Sequence, residues 1–189
     1  MTTLTLPVST GRLLIRAYRP GDRAALLAIR SVPEVSRYLY TDPMDESTVD
    51  EALKRRMEIP AFDGDHQVLG LAGELRDTGE LVADLTIFYH SHTAQQGEIG
   101  FILHPNHQGR GLAGEAAVEL LRICFEDLGL HRVAGRCDGR NAASAGLMRR
   151  IGMRQEAHLR ENEIVNGDWT DELVFALLSR EWPPARTTS

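Results

Sequence analysis

Residues 98–115 read Glu98-Ile-Gly-Phe-Ile-Leu-His-Pro-Asn-His-Gln-Gly-Arg-Gly-Leu-Ala-Gly-Glu115, and they predict a strand, a polar glycine turn and the start of a helix. Gly109 and Gly111 leave the turn without side chains, so the backbone can approach a ligand closely and adopt positive φ. The following helix directs its first free N–H groups and the positive end of its dipole toward the turn. The pattern therefore predicts a binding site for a phosphate-bearing molecule.

Two kinds of phosphate-bearing ligand, a dinucleotide and an acyl-CoA, are compatible with the sequence of this turn. Gly109-Arg-Gly-Leu-Ala-Gly114 matches the dinucleotide fingerprint G-x-G-x-x-G, and Asp138 follows the next predicted strand. However, residues 104–108 separate the strand from the first glycine, and too little chain follows for the further βα units of a dinucleotide fold. The same residues read Gln108-x-x-Gly111-x-Ala113, which resembles the acyl-CoA pyrophosphate loop of the GNAT acyltransferases. We favour the GNAT interpretation.

Bulk properties narrow the class of protein. The chain of 189 residues is long enough for one domain with a proper core. Its formal charge of -6 argues against a nucleic-acid binder. Cys124 and Cys137 lie in apolar patterns and predict small core residues rather than a disulfide framework. We see no signal peptide and no apolar run of membrane length, so we expect a cytoplasmic protein without membrane partners.

The first half of the chain predicts helices and then strands. Asp22 is a candidate N-cap for a helix that carries Leu26 on its apolar side, and Thr48-x-x-Glu51 resembles a capping box. Strands are expected at residues 66–75 and 80–89, around the turn Asp77-Thr-Gly79. A third antiparallel strand follows a polar loop at residues 90–96.

The second half predicts one parallel crossover and a hairpin. The helix after the glycine turn should end at Gly129, and the strand at residues 132–137 then completes a right-handed parallel unit. Asn141 should cap the last helix, and Asn166-Gly167 predicts a type I′ hairpin turn. The fold class is therefore α/β (α+β), with a mixed, mostly antiparallel sheet of about seven strands in chain order and helices on both faces. We expect a single domain at residues 1–182 and a disordered tail at residues 183–189.

Several segments resemble the RimJ/RimL branch of the GNAT superfamily more specifically. They are Phe125-Glu-Asp-Leu-Gly-Leu-His-Arg132, Cys137-Asp138, Asn141-x-x-Ser144, Arg149-Arg-Ile-Gly-Met153, Arg160-Glu161 and Asn166-Gly-Asp-Trp-Thr-Asp171. The resemblance implies a GNAT fold whose central parallel strands splay apart, and acetyl-CoA as co-substrate. The backbones of Phe101, Ile102 and Leu103 would then pair with pantetheine amides. The pyrophosphate would be held by Gln108, Gly109, Arg110, Gly111, Leu112 and Ala113, with Asn141 and Ser144 on the pantetheine arm.

Catalytic roles follow from the same resemblance. Glu98 is the expected base, acting through water, with Glu74, Asp84 and His90 as the alternatives. Many GNAT enzymes protonate the leaving thiolate with a tyrosine, but Met148 stands at that position and cannot donate a proton. In RimL-like members a serine occupies the Asn-x-x-Ser element, so Ser144 is the expected acid. Simple helix capping would explain Asn141 or Ser144 equally well.

The sequence gives fewer indications of the residues that line the site of the amine acceptor. The resemblance implies that the segment between the first two main strands lines it, with Tyr38, Tyr40 and Asp42 as candidates. His90, His92 and His104 fit no compact zinc spacing, so we expect exposed loop histidines and no metal.

The expected function is acyl-CoA-dependent acyl transfer to a primary amine, either a peptide N-terminus or a small molecule, by direct attack in a ternary complex. A GNAT-like module that senses acyl-CoA without turnover is the alternative. The sequence leaves open the identity of the amine and the choice between acetyl, succinyl and other acyl groups. A homodimer is a further expectation.

Overall fold

The sheet is the frame on which the site is built. In the computed structural model, which describes residues 4–182, eight strands form one sheet in the order β1-β2-β3-β4-β5-β6-β8-β7. The strands are β1 (Val8–Ser9), β2 (Leu13–Arg16), β3 (Gln67–Leu75), β4 (Leu81–Ser91), β5 (Gln96–Leu103), β6 (Arg132–Asp138), β7 (Arg154–Val165) and β8 (Asp168–Leu178). The helices are α1 (Arg23–Arg30), α2 (Pro33–Ser36), α3 (Val49–Met57), α4 (Leu112–Arg122) and α5 (Ala142–Arg150).

The prediction of a mixed, mostly antiparallel sheet is confirmed. Within residues 4–182 only β5 and β6 pair in parallel, which makes the dinucleotide interpretation wrong. Two details differ from the prediction. The short β1 adds an eighth strand, and β8 lies between β6 and β7, so chain order fails at that edge. The Asn166-Gly167 turn fixes a hairpin but does not determine which of its strands pairs with β6.

Helices cover both faces of the sheet, as predicted. On the first face Ala72 belongs to the apolar cluster of α1 and α3, beside its cross-strand neighbour Asp84. On the second face Leu71 and its neighbour Leu85 belong to the core that includes α4 and α5. The two faces follow from strand alternation, because successive side chains point to opposite sides.

Local turn and cap signals give a mixed result. Gly129 adopts φ of 64° after the helical segment, and Asn141 accepts a hydrogen bond from Ser144 N at the start of α5, both as predicted. The two other predicted caps are wrong. Thr48 precedes α3 but its hydroxyl bonds to Asp45, and Asp22 makes no cap because its carboxylate binds Arg16. A stronger charged partner therefore replaces the local backbone donor.

The central parallel strands separate beyond a short paired region. Gln96 pairs with Arg132 and Glu98 pairs with Ala134, and the pairing of β5 with β6 ends there. Residues 99–103 of β5 and 135–138 of β6 therefore border a gap, which we call the notch. The splayed strands that the resemblance implied are thus present.

The remaining predictions about the chain concern its cysteines, its tail and the membrane. Cys124 and Cys137 are buried and free, as predicted. The tail at residues 183–189 lies outside the described residues. Among residues 4–182, no helix is both long enough and apolar enough to cross a bilayer.

A buried ion pair near the first face yields a stability prediction. Arg16 donates to Asp22 at 2.7 and 2.9 Å and to Glu74 at 2.7 Å. Although burial opposes the charge, hydrogen bonds from Arg16 and the backbone of Arg19 hold the pKa of Asp22 below its ordinary value. We expect Asp22→Asn to cost about 3 kcal/mol of unfolding free energy at neutral pH, because Arg16 loses a buried partner.

The pH dependence of that cost has a definite sign. A carboxylate with a lowered pKa stabilises the fold above its unfolded pKa, and the stabilisation disappears as the pH falls through the folded value. Urea denaturation should therefore show the gap between the wild type and Asp22→Asn narrowing as the pH falls below the ordinary pKa of an aspartate. Asp50→Asn, which breaks an exposed pair with Arg23, is the control and should change stability little. A pH-independent gap would contradict this account.

Candidate active site

The notch opens into one large cleft. The cleft has a volume of about 1910 Å³, and its lining comes from both faces of the sheet. On the second face it is bordered by the glycine turn, α4 and α5. On the first face it is bordered by α1, α3 and the segment between them. Residues on both faces of the sheet therefore border the same cleft.

The glycine turn has the backbone that phosphate binding requires. Gly109 and Gly111 adopt φ of 72° and 79°, and a Cβ at Gly109 would meet nothing within 4 Å. The first backbone bond of α4 runs from Glu115 N to Gly111 O at 3.2 Å. The N–H groups of Leu112, Ala113 and Gly114 precede that bond, so they are free to donate to an anion.

Arg12 anchors this turn, and the sequence analysis missed it. Arg12 Nη1 donates to Arg110 O at 2.7 Å, and Arg12 Nε donates to Glu115 Oε2 at 2.8 Å. Burial opposes the charge on Glu115, but hydrogen bonds from Thr10 and Arg12 hold the pKa of Glu115 below its ordinary value. The only signal was an arginine at the start of the first strand, and its partner lies 103 residues away.

The free edge of β5 faces the notch, and one prediction about it needs correction. His104 N donates to Val82 O on β4, so strand alternation turns the backbone groups of Ile102 toward Asp84 on β4. The groups of Phe101 and Leu103 point the other way, into the notch. Ile102 therefore cannot offer its backbone to a ligand there. Gln108 Nε2 already donates to Leu103 O at 3.2 Å, which leaves the Leu103 N–H available.

The start of α5 lies across the notch. Asn141 Oδ1 accepts from Ser144 N at 3.1 Å, so Asn141 is a helix cap whatever else it does. The Ser144 hydroxyl lines the cleft, and within the described part of the chain it has no recorded hydrogen-bond partner. Met148 is buried against Gly135 of β6. Of Ser144 and Met148, only Ser144 therefore offers a proton-bearing group to the cleft.

Glu98 lies where β5 and β6 separate. Its Oε2 atom is 3.0 Å from Arg136 Nε and 3.3 Å from His90 Nε2. His90 therefore belongs to β4 and contacts the predicted base, which corrects its assignment as a loop histidine. These two partners hold the carboxylate at the inner end of the notch.

Glu172 is a second carboxylate near the same arginine, and sequence reasoning did not identify it. Its side chain is 1% exposed, and its Oε2 atom lies 3.7 Å from Arg136 Nη1. Burial raises the pKa of Glu172 above its ordinary value, with Glu163 and Glu98 adding to the effect and Arg136 opposing it. The sequence signal for this residue is a glutamate directly before the apolar run that begins at Leu173.

The other candidate residues divide between the cleft and the rest of the molecule. Tyr38 and Tyr40 line the cleft, whereas Asp42 is exposed outside its lining. Glu74 is held by Arg16, and Asp84 is buried among arginines. Glu74 and His90 lie outside the cleft lining, and Asp84 is held by Arg56, so Glu98 is the predicted base that combines access to the notch with a defined position.

Arg150 is a further cleft residue that the sequence analysis did not single out. It lines the cleft from the end of α5, and among residues 4–182 no carboxylate lies within 4.0 Å of it. An arginine in this position can pair with a phosphate oxygen. The glycine turn and Arg150 together give the second face of the cleft donors that a polyphosphate needs.

Comparisons with known proteins are consistent with this geometry. The family model described as "Acetyltransferase (GNAT) domain" matches residues 12–154. The uncharacterized N-acetyltransferase YnaD of Bacillus subtilis (strain 168) is 30% identical over 180 residues, covering 93% of this chain and 98% of that protein.

Solved structures share the whole fold. A GNAT-family acetyltransferase from Bacillus anthracis superposes with a TM-score of 0.82 at 25% identity, covering 92% of this chain and 99% of that one. Mycobacterium smegmatis RimJ in complex with CoA-disulfide superposes with a TM-score of 0.75 at 26% identity, covering 94% of this chain and 90% of that one.

Proposed function

This chain belongs to the GNAT acetyltransferase family, and from that premise we propose that it transfers an acetyl group from acetyl-CoA to a primary amine by direct attack in a ternary complex. The acceptor is a peptide N-terminus or a small-molecule amine. The observation that carries the proposal is the free edge of β5, which joins the phosphate-binding turn at one end and Glu98 at the other.

The residues of the second face bind and orient the co-substrate. The N–H groups of Leu112, Ala113 and Gly114 hold its pyrophosphate, and those of Phe101 and Leu103 pair with its pantetheine arm as a neighbouring strand would. When bound, acetyl-CoA supplies the acetyl group as a thioester. The CoA-disulfide complex of the mycobacterial relative supports a CoA site on this fold.

The residues at the inner end of the notch move protons. An amine must be neutral to attack, so a carboxylate that accepts its proton, directly or through water, raises the reactive fraction. Glu98 has this role, and Arg136 and His90 orient it. Ser144 gives a proton to the departing thiolate. Because the free thiol has a pKa of about 8.5, the serine contributes less than the base.

Product analysis tests the proposal. The protein is incubated with acetyl-CoA and a panel of peptides, polyamines and other amines. Thiol release is then followed beside mass spectrometry of the amines. We expect amine-dependent thiol release and products heavier by one acetyl group, with succinyl-CoA as a comparison for acyl preference. Tight CoA binding without release for any amine would overturn the proposal and favour a module that senses acyl-CoA.

Ser144→Ala separates catalysis from helix capping. We expect kcat to fall about 10- to 100-fold, at the low end for a positioned proton donor, with little change in acetyl-CoA affinity. The unfolding temperature should stay near that of the wild type, because the cap uses Ser144 N and the Asn141 side chain. Asn141→Ala is the matched control and should lower stability by about 1 kcal/mol. A fully active Ser144→Ala enzyme would remove the serine from the mechanism.

A further inference from the structure

Two arginines share one carboxylate on the first face of the cleft. Arg56 donates to both Asp84 oxygens, at 2.9 and 2.8 Å, and Tyr18 OH donates to Asp84 Oδ1 at 2.9 Å. Arg30 is more distant, with Nη1 3.6 Å from Asp84 Oδ2. Asp84 is therefore already satisfied by Arg56 and Tyr18, and its side chain is 1% exposed.

Arg30 is the arginine beside Asp84 that lacks a close carboxylate partner. Its side chain is 15% exposed, and its recorded hydrogen bond is a long one of 3.4 Å to Thr41 Oγ1. Among residues 4–182, no carboxylate other than Asp84 lies within 4.0 Å of its guanidinium. A largely buried guanidinium with five N–H donors and so few acceptors favours an anionic partner.

The distance between Arg30 and Glu98 sets the length of a ligand that can contact both residues. Arg30 lines the same cleft as Glu98. Asp84 pairs with Ile102, four residues along β5 from Glu98, which is about 14 Å of extended strand. Contacts at each end take up part of that distance and leave about 8–10 Å, the length of roughly three extended residues. Thr86 and Gly100 pair with each other in the row between these two ends, and both line the same cleft.

We propose that Arg30 anchors a carboxylate on the amine acceptor, and that the acceptor is a peptide whose carboxylate lies about three residues from its α-amine. Arg30 binds the carboxylate while Glu98 faces the amine. The carboxylate can be the C-terminus of a short peptide or an acidic side chain near the start of a longer one. This inference rests on the proposed function, because the amine end is defined by Glu98.

The test uses three tripeptides with the same first two residues. One is the free acid, one is the C-terminal amide, and one is an amide with glutamate at the third position. Their binding to the protein saturated with CoA is measured by calorimetry, since CoA without an acetyl group permits binding but no transfer. Acetylation of the same peptides is measured separately with acetyl-CoA.

The variants isolate the charge of Arg30. Arg30→Gln removes the charge, Arg30→Lys restores it, and Arg55→Gln removes a charge whose side chain is 75% exposed and pairs with Glu51. Arg30→Gln should fold, because Arg56 and Tyr18 still satisfy Asp84. Melting temperatures verify this point for all three variants.

The expected result is a preference of roughly 10- to 100-fold for either acidic peptide over the neutral amide. Arg30→Gln should lose it, Arg30→Lys should recover part of it, and Arg55→Gln should keep it. Preference for the free acid alone would identify the C-terminal carboxylate as the group bound.

Three results would overturn the inference: equal binding of the three peptides, no binding by any of them, or a preference that Arg30→Gln retains. Arg30-dependent binding without any acetylation would instead overturn the proposed function and leave the carboxylate site standing.

Discussion

Replacing Gly111 with aspartate should lower the affinity for acetyl-CoA by at least about 100-fold. Gly111 has φ of 79°, and the helix whose N–H groups are proposed to bind phosphate begins at the next residue. Aspartate would place a negative charge beside those groups. At a separation of a few ångströms, the repulsion is worth about 4 kcal/mol in a partly screened site.

Gly111→Asn is the matched control. Asparagine has nearly the same size as aspartate and tolerates positive φ, but it carries no charge. Calorimetry with CoA on both folded variants should show a large loss for aspartate and a smaller one for asparagine. Equal losses would mean that shape rather than charge governs the turn. Unchanged affinity in a folded Gly111→Asp protein would show that the phosphate site is elsewhere.

Replacing Glu98 with glutamine should lower kcat/KM by about 10²- to 10⁴-fold near neutral pH, while acetyl-CoA affinity stays unchanged. Glutamine keeps the size of the side chain but cannot accept the proton of the amine. The deficit should shrink at high pH, because more of the amine is then already neutral in solution. A pH–rate profile of both enzymes measures this directly.

Glu172→Gln is the informative comparison for that experiment, since Arg136 lies near both carboxylates. If Glu98 is the base, Glu172→Gln should retain most of the activity. A large loss in Glu172→Gln with an active Glu98→Gln enzyme would move the base to β8. Equal pH profiles for the wild type and both variants would leave positioning of the substrates as the main source of rate.

The sequence predicts those features that depend on neighbouring residues. The αL conformation of Gly111, the cap at Asn141 and the positive φ values of Asn166 and Gly167 all follow from local backbone preferences. Helical and alternating apolar periods locate most helices and strands for the same reason. The family resemblance then supplied the splayed parallel pair, which no local pattern specifies.

Features that depend on competition between side chains, or on the register with another strand, could not be predicted in this way. Asp22 and Thr48 occupy good capping positions, but Arg16 and Asp45 compete successfully for their side chains. The exclusion of Ile102 from the notch depends on its register with Asp84 of β4. A change of one residue in register would exchange the roles of neighbouring backbone groups.

The roles of the charged groups in the cleft could not be predicted from the sequence either. The sequence pattern singles out neither Arg30 at the end of α1 nor Glu172 in β8. Their significance comes from Asp84 and Arg136, which the fold brings beside them. Sequence alone gives no account of such pairs, because each partner lies tens of residues away.

A crystal structure of the protein with CoA tests the central claim most directly, namely that the notch between β5 and β6 is where co-substrate and amine meet. The account predicts pyrophosphate oxygens on the N–H groups of Leu112, Ala113 and Gly114, and pantetheine amides paired with Phe101 and Leu103. The sulfur should lie at the end of the notch beside Glu98. CoA bound outside the notch, or with its sulfur directed away from Glu98, would contradict the account.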